Sequence, residues 1–307
     1  MASQTGLDYM RSRTIVDCDT MDEEVAQTLG PFQDCTSNQA IAYAELSKPT
    51  RTETITSSLA DARNLHAKYS SIGMEELAVE IAMVRLAVAM AQQIRGRVHV
   101  QTNPYYAYSS EKTVVNALRI VQLFQHVHPG FDVDRIAIKI PSTWEGISAC
   151  RTLELAGVRT LATTLFSMSQ AVLAAEAGCT YVAPYVNELK VQVNAGLVDK
   201  QKLIPLCVAI QAYYKSIHLA GVDHLTIAPH LLEQLATPIA SPVQSLFDVA
   251  PTVPVPAPGT SYMYDQGKYQ ITFARDNDGA SQIKLTEAVN IFCDFQDKLE
   301  QMMKAAD

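Results

Sequence analysis

Basic clusters are missing from this chain, and so are paired cysteines, long apolar runs and glycine-rich phosphate loops. Each absence removes a class of function. With 24 Lys and Arg against 32 Asp and Glu, a formal charge of -8 and no Lys/Arg-rich block, the footprint of a nucleic-acid or anionic-membrane binder is lacking. A small molecule is therefore the expected partner. The six cysteines, Cys18, Cys35, Cys150, Cys179, Cys207 and Cys293, stand singly without a C-x-x-C pair. Neither a zinc site nor a disulfide framework is indicated, and reduced, mostly buried thiols of an intracellular protein are expected. The longest apolar helical stretch, Leu77 to Met90, is broken by Glu80 and Arg85 and is no bilayer span. Met1 to Arg13 is polar and shows no secretory pattern, so the cytoplasm is the expected location. Without a Ser/His/Asp set or an H-E-x-x-H motif, serine-hydrolase and zinc-peptidase chemistry has no support, and no cofactor or metal is expected. His126 and His128 precede Pro129-Gly130 at a helix end, where histidine meets the negative dipole favourably, and no third metal ligand is in view.

What remains is a globular chain of 307 residues, 48% hydrophobic, long enough for one large α/β barrel or two ordinary domains. Short apolar strands alternate with longer amphipathic segments, the pattern of βα units around a parallel sheet. Strands are predicted at Thr14 to Cys18, Arg97 to Val100, Ile136 to Ile140, Val158 to Thr163, Tyr181 to Val186 and Leu225 to Ala228, and helices at Met74 to Arg95, Ser110 to His126 and Thr286 to Ala305. Ser142 and Ser167 stand where N-caps are needed, and Gly157, Gly178 and Gly221 where left-handed C-caps precede the next strand. Gly157 and Gly178 are 21 positions apart and Gly221 a further 43, about two such units, which fits a repeating βα ring. The stretch Leu203 to Ile210 is either a strand or the front of a helix running to His218, and alternation does not settle which. No linker divides the chain. A single domain over 1–307 is expected, with an N-terminal extension to residue 13, a proline-rich connector at 253–262 and a closing helix at 284–307.

Chemistry concentrates at the predicted strand ends. Lys139 is the only charge inside Ile136 to Pro141, and a buried lone amine must be paired, neutralised or used. Desolvation favours the neutral amine, which attacks carbonyls to form a Schiff base. The bland alternative is a lysine that snorkels to solvent. In a barrel the carboxyl ends of strands converge on one mouth, and here they bear Asp19, Asn38, Gln101 with Asn103, Lys139, Thr163 and Tyr185. Together these supply an amine nucleophile, a carboxylate for proton transfer, a hydroxyl pair and amides suited to a polyhydroxy substrate.

The stretches Val16-Asp17-Cys18-Asp19-Thr20, Gln33-Asp34-Cys35-Thr36-Ser37-Asn38, Ile138-Lys139-Ile140-Pro141-Ser142-Thr143-Trp144-Glu145-Gly146, Leu165-Phe166-Ser167-Met168-Ser169-Gln170-Ala171 and Leu225-Thr226-Ile227-Ala228-Pro229 resemble transaldolase in order and spacing. The resemblance runs from about Thr14 to the C-terminal helix. It implies a class I aldolase-type (β/α)8 TIM barrel in which Lys139 forms the Schiff base, Asp19 moves protons, Asn38 holds the dihydroxyacetone part and Thr163 positions the catalytic water. Thr36, Asn103 and Ser167 join Asn38 as candidates for substrate binding.

The departures point further. The family's glutamate is here Gln101 and its aspartate Asn103, so a water-activating carboxylate is lost, and an amide cannot take that proton. The family's phenylalanine is Tyr185, and Gln101 with Tyr185 resembles the fructose-6-phosphate aldolase branch. At the phosphate end the first family arginine falls at Glu188 and its serine at Ala183, while the second basic motif has no clear counterpart and counts to Ala209 and Gln211 in a shortened, irregular seventh-strand region. Glu188 would repel a phosphate, although Lys190, Lys200 or Lys202 could compensate. The function expected is aldol or retro-aldol chemistry through a lysine imine on a non-phosphorylated or unusual, sugar-like carbonyl substrate. The alternatives are an authentic pentose-phosphate transaldolase and a non-catalytic carbohydrate-binding or regulatory relative. Relatives form dimers or larger rings, and Phe292, Phe295, Leu299 and Met302 would either close the barrel mouth or pack on a second subunit of a homodimer.

Overall fold

The computed structural model describes residues 4–193, 197, 203–207, 209–210, 224–239, 254–257 and 259–307. Seven strands occur among them: β1 (Ile15–Cys18), β2 (Cys35–Thr36), β3 (Val98–Gln101), β4 (Ile136–Pro141), β5 (Arg159–Leu165), β6 (Tyr181–Pro184) and β7 (His224–Ile227). All pair in parallel in the order β6-β5-β4-β3-β2-β1-β7, with helices between successive strands. A parallel sheet in chain order whose last strand returns to pair with its first is an α/β fold of the TIM-barrel type.

Strand bounds shift by one or two residues from expectation, and β2 was not predicted because two residues carry no alternation. The ambiguity at 203–210 falls on the helical side. Residues 204–207 and 209–210 are helical, Cys207 N donates to Leu203 O at 2.9 Å, and the buried positions 203, 206, 207 and 210 recur at helical spacing. Among the described residues no strand lies between β6 and β7, and most of the seventh-strand region lies outside them. Gly221 with its cap, Gln211, Lys200, Lys202 and Val253 and Pro258 of the proline-rich run lie outside the described residues.

The helix Met74–Ala91 is buried on nearly every side because it packs against Thr52–Leu65, Ser110–Val127 and the C-terminal helix Ala280–Ala306. The charges that interrupt its apolar run are paired: Glu80 accepts from Arg119 at 2.7 and 2.8 Å, and Arg85 bonds Asp61. No helix of the described residues is long and apolar enough to cross a membrane. The C-terminal helix starts at Ala280, earlier than predicted, after Gly279 at φ +84°. Its apolar stripe packs within the chain, Phe292 and Leu299 being fully buried and the Phe295 ring 5.8 Å from that of Tyr43.

Caps follow the sequence with one correction. Ser167 caps Met168–Ala177 as expected, but Thr143, not Ser142, caps Trp144–Leu155, its Oγ1 accepting from Gly146 N at 2.8 Å. Ser142 still belongs to the sheet edge, its N donating to Thr163 O at 2.8 Å. Gly146 lets this helix press on the end of β4, since a Cβ there would sit 2.2 Å from Pro141 O. Gly157 and Gly178 adopt φ of +84° and +76°, as their capping positions require.

Inside the sheet, beneath the level of Lys139, lies a polar layer. Asp34 accepts from Arg97 N at 2.8 Å and lies 3.3 Å from His99 Nε2, while Asp17 accepts from Asp34 N at 2.9 Å and pairs with His224 Nδ1 at 2.7 Å. Asp17, Asp34 and His224 bring ligand-type atoms within 4.8 Å of one another. Their carboxylate oxygens are engaged by these protein donors, which is a structural use. Burial opposes the Asp34 charge, but bonds from His99 and Arg97 N outweigh it and hold its pKa down to about 2. A folded-state value below the unfolded 3.8 means that this stabilisation is complete above pH 4 and is lost as the pH falls toward about 2. We predict that Asp34→Ala lowers stability by roughly 3 kcal/mol at pH 7 by stranding buried donors. Urea midpoints should show the gap to the wild-type protein shrinking as the pH falls from about 4 toward about 2.

Candidate active site

With a period of two along each strand, Lys139 shares the inner face of β4 with Ala137 and Pro141. It is only 5% exposed, and its Nζ lies 3.1 Å from Thr36 Oγ1 on β2. The snorkelling alternative is thereby overturned. Burial pushes the amine pKa below its usual 10.5, partly offset by the charges of Asp19 and Cys35. Asp19 follows β1 directly and is half-buried, and its backbone N donates to Ile227 O at 3.1 Å. Desolvation raises its carboxyl pKa, and Lys139 pulls it back. Burial thus favours the neutral, nucleophilic form of the amine and raises the proton affinity of Asp19, which suits it to take and return a proton.

Gln101 is the Cα partner of Lys139 across β3 and β4, so the two side chains enter the interior at the same height. On β5, Thr163 Oγ1 stands 3.3 Å from Tyr185 Oη. Burial keeps the Tyr185 phenol strongly raised, eased by Thr163 and reinforced by Asp19, so it remains a protonated donor. Asp19 therefore couples electrostatically to both Lys139 and Tyr185. The remaining candidates have structural duties. Asn38 Oδ1 accepts from Ile41 N at 3.0 Å as the cap of helix Gln39–Leu46, which leaves its amide nitrogen for other partners. Asn103 Oδ1 accepts from Tyr105 N at 3.0 Å, while its backbone N is held by Asn116 at 2.8 Å. Ser167 Oγ lies 3.0 Å from Ser169, which reaches Asp276.

Three contributors were not foreseen. Thr164 has φ +55°, a left-handed conformation costly for a β-branched residue, at a register shift between Ala162 and Leu165. Gln170 braces this bulge: its Nε2 donates to Ser142 O at 2.9 Å and Thr164 O at 3.2 Å, and its Oε1 accepts from Phe166 N at 2.8 Å. Gln39 bonds Gln101 from behind at 2.9 Å. Gln170 stands within a quoted family stretch and Gln39 directly after Asn38, which are the only signals the sequence offers for them.

At the rim Lys190 is held between Glu188 at 3.2 Å and Glu287 at 3.1 Å, and these bonds, Glu287 first, raise its pKa. One ammonium is thus shared by two carboxylates.

The chain matches the transaldolase/fructose-6-phosphate aldolase family over residues 16–303. It is 30% identical to a transaldolase of Glaesserella parasuis, with 97% of this chain and 98% of the relative covered. Identity is 30% to that of Mannheimia succiniciproducens over the same shares, and 29% to that of Schizosaccharomyces pombe with 95% of each chain covered. A curled parallel sheet, a buried strand amine beside a carboxyl group and a full-length match lead to one assignment. The chain is an aldolase-type enzyme and belongs to the transaldolase/fructose-6-phosphate aldolase family.

Proposed function

We propose that this enzyme makes and breaks a carbon–carbon bond through an imine on Lys139, and that it releases the donor fragment to water in preference to passing it to an acceptor aldehyde. The observation that carries the reading is the Lys139 amine, buried on the inner face of β4 with its pKa lowered and Asp19 coupled to it. The neutral amine adds to a ketone carbonyl, and the carbinolamine takes up a proton on its hydroxyl and loses it as water to give a protonated imine. Asp19, as carboxylate, takes the proton from the hydroxyl one carbon beyond the bond to be cleaved. That oxygen becomes an aldehyde while the bonding pair flows into the imine as an enamine. Protonation of the enamine carbon regenerates the imine, and water hydrolyses it. Thr163, Tyr185 and Gln101 are the groups that hold this water.

The substrate class follows from the rim. Glu188 stands where the family's phosphate-binding arginine is expected, and Lys190, the nearby candidate to compensate, is already shared by Glu188 and Glu287. A carbonyl substrate without a terminal phosphate fits that charge better than a sugar phosphate. The test is borohydride reduction in the presence of dihydroxyacetone, followed by mass mapping. A stable adduct on Lys139 is expected, and labelling that misses Lys139 would favour the binding-module alternative. Turnover of fructose and fructose 6-phosphate with and without erythrose 4-phosphate addresses the rest. Release without acceptor is expected, and an obligatory acceptor would make the protein an authentic transaldolase.

A further inference from the structure

Gln39 lies at the start of helix Gln39–Leu46 and is 1% exposed. Its Nε2 donates to the Thr102 backbone carbonyl at 3.1 Å, and its Oε1 accepts from Gln101 Nε2 at 2.9 Å. Gln101 is also 1% exposed, and its Oε1 is buried with no hydrogen-bond partner among the described residues. A buried acceptor without a partner is unfavourable and calls for a donor. Register places it on the inner face beside Lys139.

The orientation of these two amides is dictated rather than free. A carbonyl oxygen only accepts, so the atom that Gln39 turns toward Thr102 must be its nitrogen. Its oxygen then faces Gln101, and Gln101 can answer only with N–H. Gln101 spends one N–H on Gln39, and its Oε1 is left as the buried acceptor that no protein donor fills among the described residues. Without Gln39 its amide could rotate by half a turn and present N–H there instead.

We propose that Gln39 is a positioning residue that sets Gln101 Oε1 as the acceptor for an O–H of the water that hydrolyses the Lys139 imine. The inference rests on the imine reading given above. With one O–H directed to Gln101, the other to Thr163 Oγ1 and one lone pair accepting from the Tyr185 hydroxyl, the second lone pair of the water is left to attack. The water oxygen bonds to the imine carbon, the C=N π pair returns to Nζ, and the displaced proton passes to Nζ through Asp19. The carbinolamine then breaks its C–N bond, its hydroxyl proton passing to the Asp19 carboxylate as C=O forms, to give the ketone and free Lys139. Gln101 takes no proton at any stage. Its role is direction, so the loss of Gln39 slows release without weakening donor binding.

Two full-length variants test this with dihydroxyacetone as the trapping probe and fructose cleavage as the turnover. Gln39→Met should lower kcat by about 10- to 100-fold with KM within about threefold, and should slow borohydride trapping of Lys139 by dihydroxyacetone by a similar factor while the final extent of labelling is kept, since imine formation and hydrolysis pass through the same water step. Gln39→Glu reproduces the wild-type bonds only when protonated, donating to Thr102 O while still accepting from Gln101. Its kcat, taken as a ratio to wild type at each pH, should therefore rise as the pH falls. A ratio that stays flat with pH would overturn the proposal, because simple damage to the fold has no reason to heal on acidification. So would wild-type kcat and trapping in Gln39→Met. Failure of the wild-type protein to trap at Lys139 would remove the imine reading and this inference together, whereas normal trapping with unaffected Gln39 variants removes the inference alone.

Discussion

Lys139→Met is expected to lower turnover by at least about 1,000-fold and to abolish borohydride-dependent labelling, while the protein melts at the same temperature or slightly above it. The activity loss follows from removing the nucleophile, which no neighbour replaces: Thr36 is an unactivated hydroxyl, and Cys35, its pKa raised by burial, stays a thiol. The stability expectation follows from desolvation. The amine is 5% exposed and its charged form is penalised by burial, so an apolar chain of similar volume relieves that cost and leaves the core filled. Loss of activity with stability retained separates a chemical lysine from a structural one. The wild-type pH profile gives a second reading. Only the neutral amine attacks, and the Lys139 pKa lies below 10.5, so kcat/KM should climb with pH through that lowered value. Calorimetry and initial rates between pH 5 and pH 10 check both. A Lys139→Met enzyme with more than a few per cent of wild-type activity would refute the assignment.

Asp19→Asn should cut carbon–carbon cleavage by about 100- to 10,000-fold and still permit trapping of dihydroxyacetone on Lys139. The carboxyl is needed to remove and return protons, whereas the first encounter needs only a neutral amine. Its removal also shifts that amine. The Asp19 charge raises the Lys139 pKa against the desolvation that lowers it, so in Asp19→Asn the Lys139 pKa falls further. The acid limb of imine formation should therefore move to lower pH, opposite to the direction expected if Asp19 served as the base for that step. Trapping yield against pH in both proteins measures this directly. Loss of trapping together with cleavage would place Asp19 in substrate binding instead.

Much of the site was legible because its residue types are unusual for their places. A lysine within Ile136 to Pro141 conflicts with the burial that its apolar neighbours announce, and Asp19 conflicts with the apolar run before it. The helix caps at Ser167, Gly157 and Gly178 were visible because capping chemistry is local. Gln39, Thr164 and Gln170 were not, since nothing in a neutral amide or a threonine signals its partner. Gln39 meets Gln101 across 62 positions of chain and Ser169 meets Asp276 across 107, contacts that exist only once strands and helices have been brought side by side. Thr164 was hidden for another reason. Its left-handed backbone is unfavourable for its own side chain and is held by bonds from Gln170, so local preference argued against it. The 203–210 stretch was undecided because short apolar runs suit either element, and the burial of 203, 206, 207 and 210 on one side tips it to helix.

The order of residues was enough to show the βα pattern and to mark Lys139 as an inward amine, because hydrophobic periodicity and the cost of burying an amine are properties of short segments. Which end of the Gln101 amide Gln39 engages, how Thr163 meets Tyr185 at 3.3 Å, and that Lys190 is shared by Glu188 and Glu287 required the folded chain. Hydrogen-bond direction and charge sharing depend on distances between segments far apart in sequence, and those distances are set by packing rather than by any local preference.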